Sequence, residues 1–339
     1  MAGEALRRGI GMRIVVVGAT GNVGSSLVER LSVDDRAASI LGIARRAPTV
    51  ELPKVEWHAA DVRRDGLAPL FAGADAVVSL SWLIQPSRRP DVLSSVNVQG
   101  TRRVLEATAD AGVPALVYGS SVGTYSPRVS DEPADESWPT GGISSCPYSR
   151  DKATVERMLD RFQDDHPLRV VRLRPALVFK RGAAAEITRY FIGSQTLARR
   201  LPRRLPIAPM PRGLVMQCVH SHDLATAYVE AIFSEASGAF NIAADPVIDA
   251  AAIEERYAVR SVGLPRTAVR AAMAAAWHAR LQPTDPSWLD MAMQVPTMDC
   301  SRAREQLGWR AEHDSTEALS ELYRGIRAQV GLPTPSLRP

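Results

Sequence analysis

Cysteine is scarce in this 339-residue chain, which has three, Cys146, Cys218 and Cys300. An odd number at such wide spacing builds no disulfide framework and no metal pattern, and it fits a reducing compartment. A large charge of one sign is also missing. Lys plus Arg is 41 and Asp plus Glu is 37, a formal net charge of +4, too small to imply a nucleic-acid partner. Aromatic residues make up only 6%. The arginine-rich stretch of Arg189, Arg199, Arg200, Arg203, Arg204 and Arg212 therefore lacks the interleaved rings on which single-stranded bases stack. It reads as a solvated face or substrate loop, with a diphosphate- or carboxylate-holding role as the rival. No apolar run reaches membrane-spanning length, because Arg, Asp or Pro interrupts each one. The opening MAGEALRRGIGM leads into a strand without a signal-peptide core. We expect a cytoplasmic protein with no nucleic-acid or membrane partner.

What is present is a regular alternation. Apolar runs at 12–17, 39–44, 55–59, 76–80, 115–119 and 168–173 read as strands. Helical spacing over 22–31, 67–71, 92–111 and 148–162 separates them. Strands alternating with helices predict an α/β fold, a Rossmann-type doubly wound, mostly parallel sheet covered on both faces. From about residue 180 the pattern loosens. A helix at 221–231 and a short strand at 238–242 remain legible. We expect a dinucleotide-binding core over 12–175, a mainly substrate-binding lobe over 176–330 with segments returning to the core, and a tail at 331–339.

The first strand ends in Gly18-Ala19-Thr20-Gly21-Asn22-Val23-Gly24, which opens the first helix. The first glycine allows the tight turn, the second lets backbone approach a pyrophosphate, and the third allows close helix packing. The helix N-terminus offers free N–H groups to the anion. Gly18, Thr20, Gly21, Asn22, Val23 and Gly24 are thus candidate dinucleotide ligands. An acid at the end of the second strand would bind the ribose diol, but Arg45 and Arg46 stand there, so NADP is expected ahead of NAD. Their rival reading is a solvated pair. Asp61, followed by Val62, could reach the adenine amine or simply cap a turn. Tyr148 and Lys152 lie one helical turn apart and share a face. A nearby ammonium favours the phenolate, which would make Tyr148 an acid/base near neutrality. Ser120 and Ser121 follow the fifth strand, at the end where open parallel sheets bind ligands.

With these residues in place the chain resembles the extended short-chain dehydrogenase/reductase family, the NAD-dependent epimerase/dehydratase group. GATGNVG at 18–24, DV at 61–62, NVQGT at 97–101, VYGSSVGTY at 117–125 and YSRDK at 148–152 carry the likeness, continued by LRP at 173–175, CVHSHDLA at 218–225, FNI at 240–242 and SRAREQLGW at 301–309. The resemblance implies roles. Tyr148 would be the acid/base, Lys152 would bond the nicotinamide ribose and lower the Tyr148 pKa, and Ser121, with Ser120 as alternative, would hold the substrate oxygen. Asn97 would brace the helix facing the cofactor. Pro175 would bring backbone alongside the nicotinamide, and Leu80 and Ser81 would close over it. Trp82, where the family has a small residue, either narrows the site or fills core.

Other departures bear on substrate. Ala176-Leu177 and Met216-Gln217 replace polar residues that hold sugar nucleotides in the family. VFKRG at 178–182 replaces a glycine-proline turn, so that Phe179, Lys180 and Arg181 would reshape the substrate entrance. His220 reads as a structural residue joining the lobes, and Asp223 as a support for its helix. No metal spacing is found. The expected activity is reversible hydride transfer between NADP(H) and a carbonyl or carbinol. Two alternatives stay open: a nucleotide-sugar epimerase or dehydratase with retained NAD, and a non-catalytic dinucleotide-binding scaffold. A homodimer through the helices at 92–111 and 148–162 is a family-based expectation.

Overall fold

A computed structural model describes residues 11–84, 88–193, 207–334 and 337. The alternating apolar runs become strands β1 (Met12–Val17), β2 (Ala37–Ala44), β3 (Val55–Ala59), β4 (Ala76–Ser79), β5 (Ala115–Gly119) and β6 (Arg169–Pro175). Four short strands follow: β7 (Leu177–Phe179), β8 (Ile207–Pro211), β9 (Cys218–His220) and β10 (Gly238–Ile242). β11 (Arg260–Leu264) is the last. The main sheet runs β10-β6-β5-β4-β1-β2-β3, and every neighbouring pair in it is parallel. β7 pairs with β9, and β8 with β11. The order reverses between β1 and β4. In an open parallel sheet that reversal leaves a crevice at the carboxyl ends of the strands, where ligands bind.

Both sheet faces are apolar, as parallel strands require. One face is covered by α1 (Asn22–Ser32) and the later helix Ser221–Phe233, with Leu27, Leu31, Leu224 and Tyr228 buried between them and the sheet. The opposite face is covered by the helices Thr101–Asp110 and Pro147–Asp165, whose Leu105, Val155 and Leu159 pack on Val15, Val77 and Leu116. Each fully buried aliphatic side chain of this kind contributes about 1.5–3 kcal/mol.

The single helix expected over 92–111 is interrupted. An α-helical turn at Pro90–Ser94 passes into a π-helical segment at Ser95–Gly100, and the α-helix resumes at Thr101. The cause is local. Asn97 holds the chain after β4 by both ends of its amide, accepting from the Leu83 N–H at 2.7 Å and donating to the Leu83 carbonyl at 3.1 Å. Gly100 presses against Val62, whose Cγ2 stands 2.7 Å from where a Cβ would be. A widened turn of this sort inside a helix commonly marks a functional site. We number the remaining long helices α2 (Thr101–Asp110), α3 (Pro147–Asp165), α4 (Ser221–Phe233), α5 (Arg266–His278) and α6 (Ser315–Ala328). No helix among the described residues is long and apolar enough to cross a membrane.

Candidate active site

The glycine turn sits at the sheet's reversal point. Gly18 has φ +89°, and a Cβ there would lie 2.6 Å from the Leu80 carbonyl carbon and 2.7 Å from the Ser81 nitrogen. The turn after β1 and the segment after β4 therefore touch backbone to backbone. Gly24 is tighter still, since a Cβ would stand 2.3 Å from the Gly18 carbonyl oxygen and 2.8 Å from Ala19 Cα. Gly24→Ala is expected to destabilise the fold by about 1–3 kcal/mol and to weaken dinucleotide binding with it. Thermal unfolding with and without NAD measures both, and an unchanged Tm and affinity would show that the turn yields freely.

Helix α1 follows Gly21 as its N-cap, with no side-chain cap, so its first N–H groups are left for a ligand. Buried polar atoms without a protein partner include Asn22 Oδ1 at its first residue, and Ser79 Oγ, Ser81 Oγ and Trp82 Nε1 at and after the end of β4. Buried polar groups are nearly always bonded, and those at the end of β4 and at the first residue of α1 fit a polar ligand such as a dinucleotide. Thr20 is buried beside the turn, and Val23 packs against the core. Pro175 ends β6 opposite Ile242 of β10. Asp61 is engaged by Arg63, whose Nε lies 3.0 Å and Nη2 2.6 Å from its oxygens, and this holds its carboxyl down to about 2. Val62 follows it and packs against Gly100 of the π-helical turn.

Tyr148 stands in the first turn of α3, after Pro147. Ser121 reaches towards it from the end of β5: both side chains crowd Gly123, and the serine hydroxyl is close enough to pull the Tyr148 phenol down. Ser121 Oγ also accepts from the Gly123 N–H at 3.0 Å. Ser120 turns away and donates to Glu156 at 2.5 Å. The structure thus brings Ser121, and not Ser120, to Tyr148. Burial pushes the Tyr148 phenol up to about 12, against the opposing pull of Ser121. The depression expected from Lys152 is absent, because burial outweighs any field from the shared helix face. Lys152 itself is driven down to about 7 by burial, with Glu156 and Asp151 opposing. Its Nζ donates to the Gly119 carbonyl at 2.6 Å and to Tyr118 at 3.4 Å, and lies 3.6 Å from the Trp82 ring centre.

Trp82 thus lids the lysine and meets Tyr148 edge-on at 6.0 Å. Trp288 lies 5.2 Å from the Tyr148 ring on another side, and Phe191 meets Trp288 at 5.1 Å. Met291 adjoins this cluster, while Met298 belongs to the main core.

Sequence reasoning missed the hub behind the site. Glu156, fully buried one turn beyond Lys152, accepts from Arg172 at 3.1 Å and Arg174 at 2.9 Å. Arg174 continues to the Tyr125 hydroxyl at 3.1 Å, which donates to Asn241 at 2.6 Å. The i, i+4 spacing from Lys152 was the available signal. His220 bonds Glu321 at 3.1 Å and stacks on His313, which bonds Asp223 at 3.1 Å. This group ties α4 to the segment before α6. The three cysteines are free and buried. Arg199, Arg200, Arg203 and Arg204 lie outside the described residues.

The sequence model of the NAD dependent epimerase/dehydratase family matches residues 14–243. An uncharacterized protein of Mycobacterium tuberculosis is 26% identical over 325 residues, covering 95% of this chain. The chain spans 31% of that protein's length. A UDP-glucose-4-epimerase from Stenotrophomonas maltophila, solved with NAD and formylated UDP-arabinopyranose, superposes with a TM-score of 0.69 at 21% identity, over 94% of this chain and 98% of its own. MoeE5 in complex with UDP-glucuronic acid and NAD gives 0.67 at 19% identity, over 94% and 100%. Both structures carry NAD, and the family's description is NAD dependent. This overturns the expectation of NADP. Arg45 and Arg46 are exposed at the end of β2, as their reading as a solvated pair has it.

Proposed function

The chain belongs to the NAD dependent epimerase/dehydratase family, and from that premise we propose that it uses retained NAD to oxidise and re-reduce a carbinol of a nucleotide-linked sugar. The observation that carries the chemistry is the placement of Ser121, at the end of β5, beside Tyr148. The two solved relatives hold UDP-linked sugars, which supports the substrate class. NAD would supply the hydride acceptor. Gly18, Thr20, Gly21, Asn22, Val23 and Gly24 would hold its pyrophosphate. Leu80, Ser81, Asn97 and Pro175 would frame its nicotinamide end, with Asp61 and Val62 towards the adenine.

Tyr148 Oη, as phenolate, would take the carbinol proton while the carbon loses hydride. Ser121 Oγ would hold the same oxygen through the change from carbinol to carbonyl. Lys152 would stabilise the phenolate once it moves from beneath Trp82. Return of the hydride to the opposite face, with the proton from Tyr148, inverts the centre with no net redox change.

A net alcohol dehydrogenase is the second reading. One observation favours it: Trp82 and Trp288 wall Tyr148, with Phe191 behind Trp288, which suits an apolar carbinol.

The test is to purify the protein, release and identify bound nucleotide, and incubate it with UDP-sugars under NMR. We expect tightly held NAD and an epimeric product without accumulating NADH. Continuous NADH formation from simple carbinols would replace this reading by the second. Failure to bind NAD would sink both.

A further inference from the structure

Lys180 does not face the substrate entrance. The pairing of β7 with β9 carries it to the back of the glycine turn, where it is 4% exposed. Its Nζ donates to Ser25 at 2.7 Å and Ser26 at 2.9 Å, both in the first turns of α1. Ser25 donates in turn to the Gly21 carbonyl at 2.9 Å. Ser26 shares a bond with Ser221 at 2.9 Å, and Ser221 donates to the Asn22 carbonyl at 3.0 Å. Asn22 donates to the Val178 carbonyl at 3.0 Å, and its own Oδ1 is left without a partner.

The ammonium is thus linked, through one layer of hydroxyls, to the backbone of the turn itself. Among the described residues no carboxylate forms an ion pair with it; Glu29 and Glu186 act only at longer range. Taking a charge out of water costs several kcal/mol unless an opposite charge compensates it. Serine hydroxyls solvate a cation but do not neutralise it. The anion that would do so belongs on the far side of the same turn, at the N-terminus of α1.

We propose that Lys180 is a positioning residue for the diphosphate of the bound dinucleotide, the buried counter-charge that stands behind the glycine turn and holds its N–H groups toward the anion. The proposal rests on the dinucleotide reading. It extends that reading to a residue outside the glycine turn.

ADP and adenosine separate the diphosphate from the base and ribose. Calorimetric titration of each into the wild type, Lys180→Met and Lys180→Arg is the test. Lys180→Met is expected to weaken ADP by about tenfold, to leave adenosine within about twofold, and to flatten the salt dependence of ADP binding. Lys180→Arg should recover most of the loss. Equal ADP affinity in wild type and Lys180→Met overturns the assignment, and so does a parallel loss of ADP and adenosine, which would mark a packing role. Should Lys180→Met fail to fold, Lys180→Gln keeps a donor to the serines without the charge and is judged by the same outcomes. A wild type that binds neither ADP nor NAD overturns the dinucleotide reading and this proposal with it.

Discussion

Replacing Tyr148 by phenylalanine is expected to lower turnover by about 10²–10⁴-fold, the usual worth of a positioned acid/base, with NAD affinity changed little. The ring stays wedged between Trp82 and Trp288, so the substitution removes the hydroxyl and leaves the packing. The sign of the pH dependence follows from burial. With the phenol pushed up to about 12, Tyr148 is protonated at neutral pH, the form that donates a proton in reduction. Carbinol oxidation needs the phenolate, so its rate should climb with pH across the neutral range while the reductive direction does not. Single-turnover rates in both directions, for wild type and Tyr148→Phe, measure this. A variant that keeps more than about a tenth of wild-type turnover would remove Tyr148 from the acid/base role.

The second large effect is on stability. Glu156→Ala leaves the inner guanidinium groups of Arg172 and Arg174 without the carboxylate they share. Breaking a buried ion pair from one side costs about 3–5 kcal/mol, because the surviving charge is stranded. Arg172 keeps Asp160 at 2.6 Å, so most of the loss falls on Arg174. Glu156→Gln should lie between wild type and alanine, since it retains hydrogen-bonding atoms. The carboxyl of Glu156 is held below its ordinary value, chiefly by Arg174 against the cost of burial. Its contribution is therefore present above the ordinary carboxylate range and is lost as pH falls through the lower folded value. Urea unfolding at neutral and acid pH tests both statements, and a cost under about 1 kcal/mol for Glu156→Ala would reduce the hub to an ordinary surface pair.

The parts of this molecule that were legible in its sequence are those whose causes are local. β1, β3, β5 and β10 lie where their apolar runs predict, and Tyr148 and Lys152 share a helix turn because four residues make one. The glycine turn is legible because its steric demand is written in three positions. The π-helical segment is different: it depends on Asn97 reaching Leu83 and on Gly100 meeting Val62, contacts across 14 and 38 positions that no periodicity records. Glu156 looks like one more solvated acid on α3 until β6 brings two arginines to it. Arg45 and Arg46 misled for the opposite reason. Their position suited the 2′-phosphate of NADP, but the similar solved structures carry NAD.

The seventh strand of the main sheet has a consequence for synthesis. β10 closes the edge beside β6, yet more than sixty positions of chain separate the two strands. A ribosome that has just delivered β6 therefore exposes an unpaired row of N–H and C=O groups, flanked by Val170, Val171 and Leu173. Exposed edges of that kind recruit strands from neighbouring chains. The nascent protein must keep that edge out of reach of its neighbours until residue 242 has emerged, so chaperone demand should peak in that interval of translation.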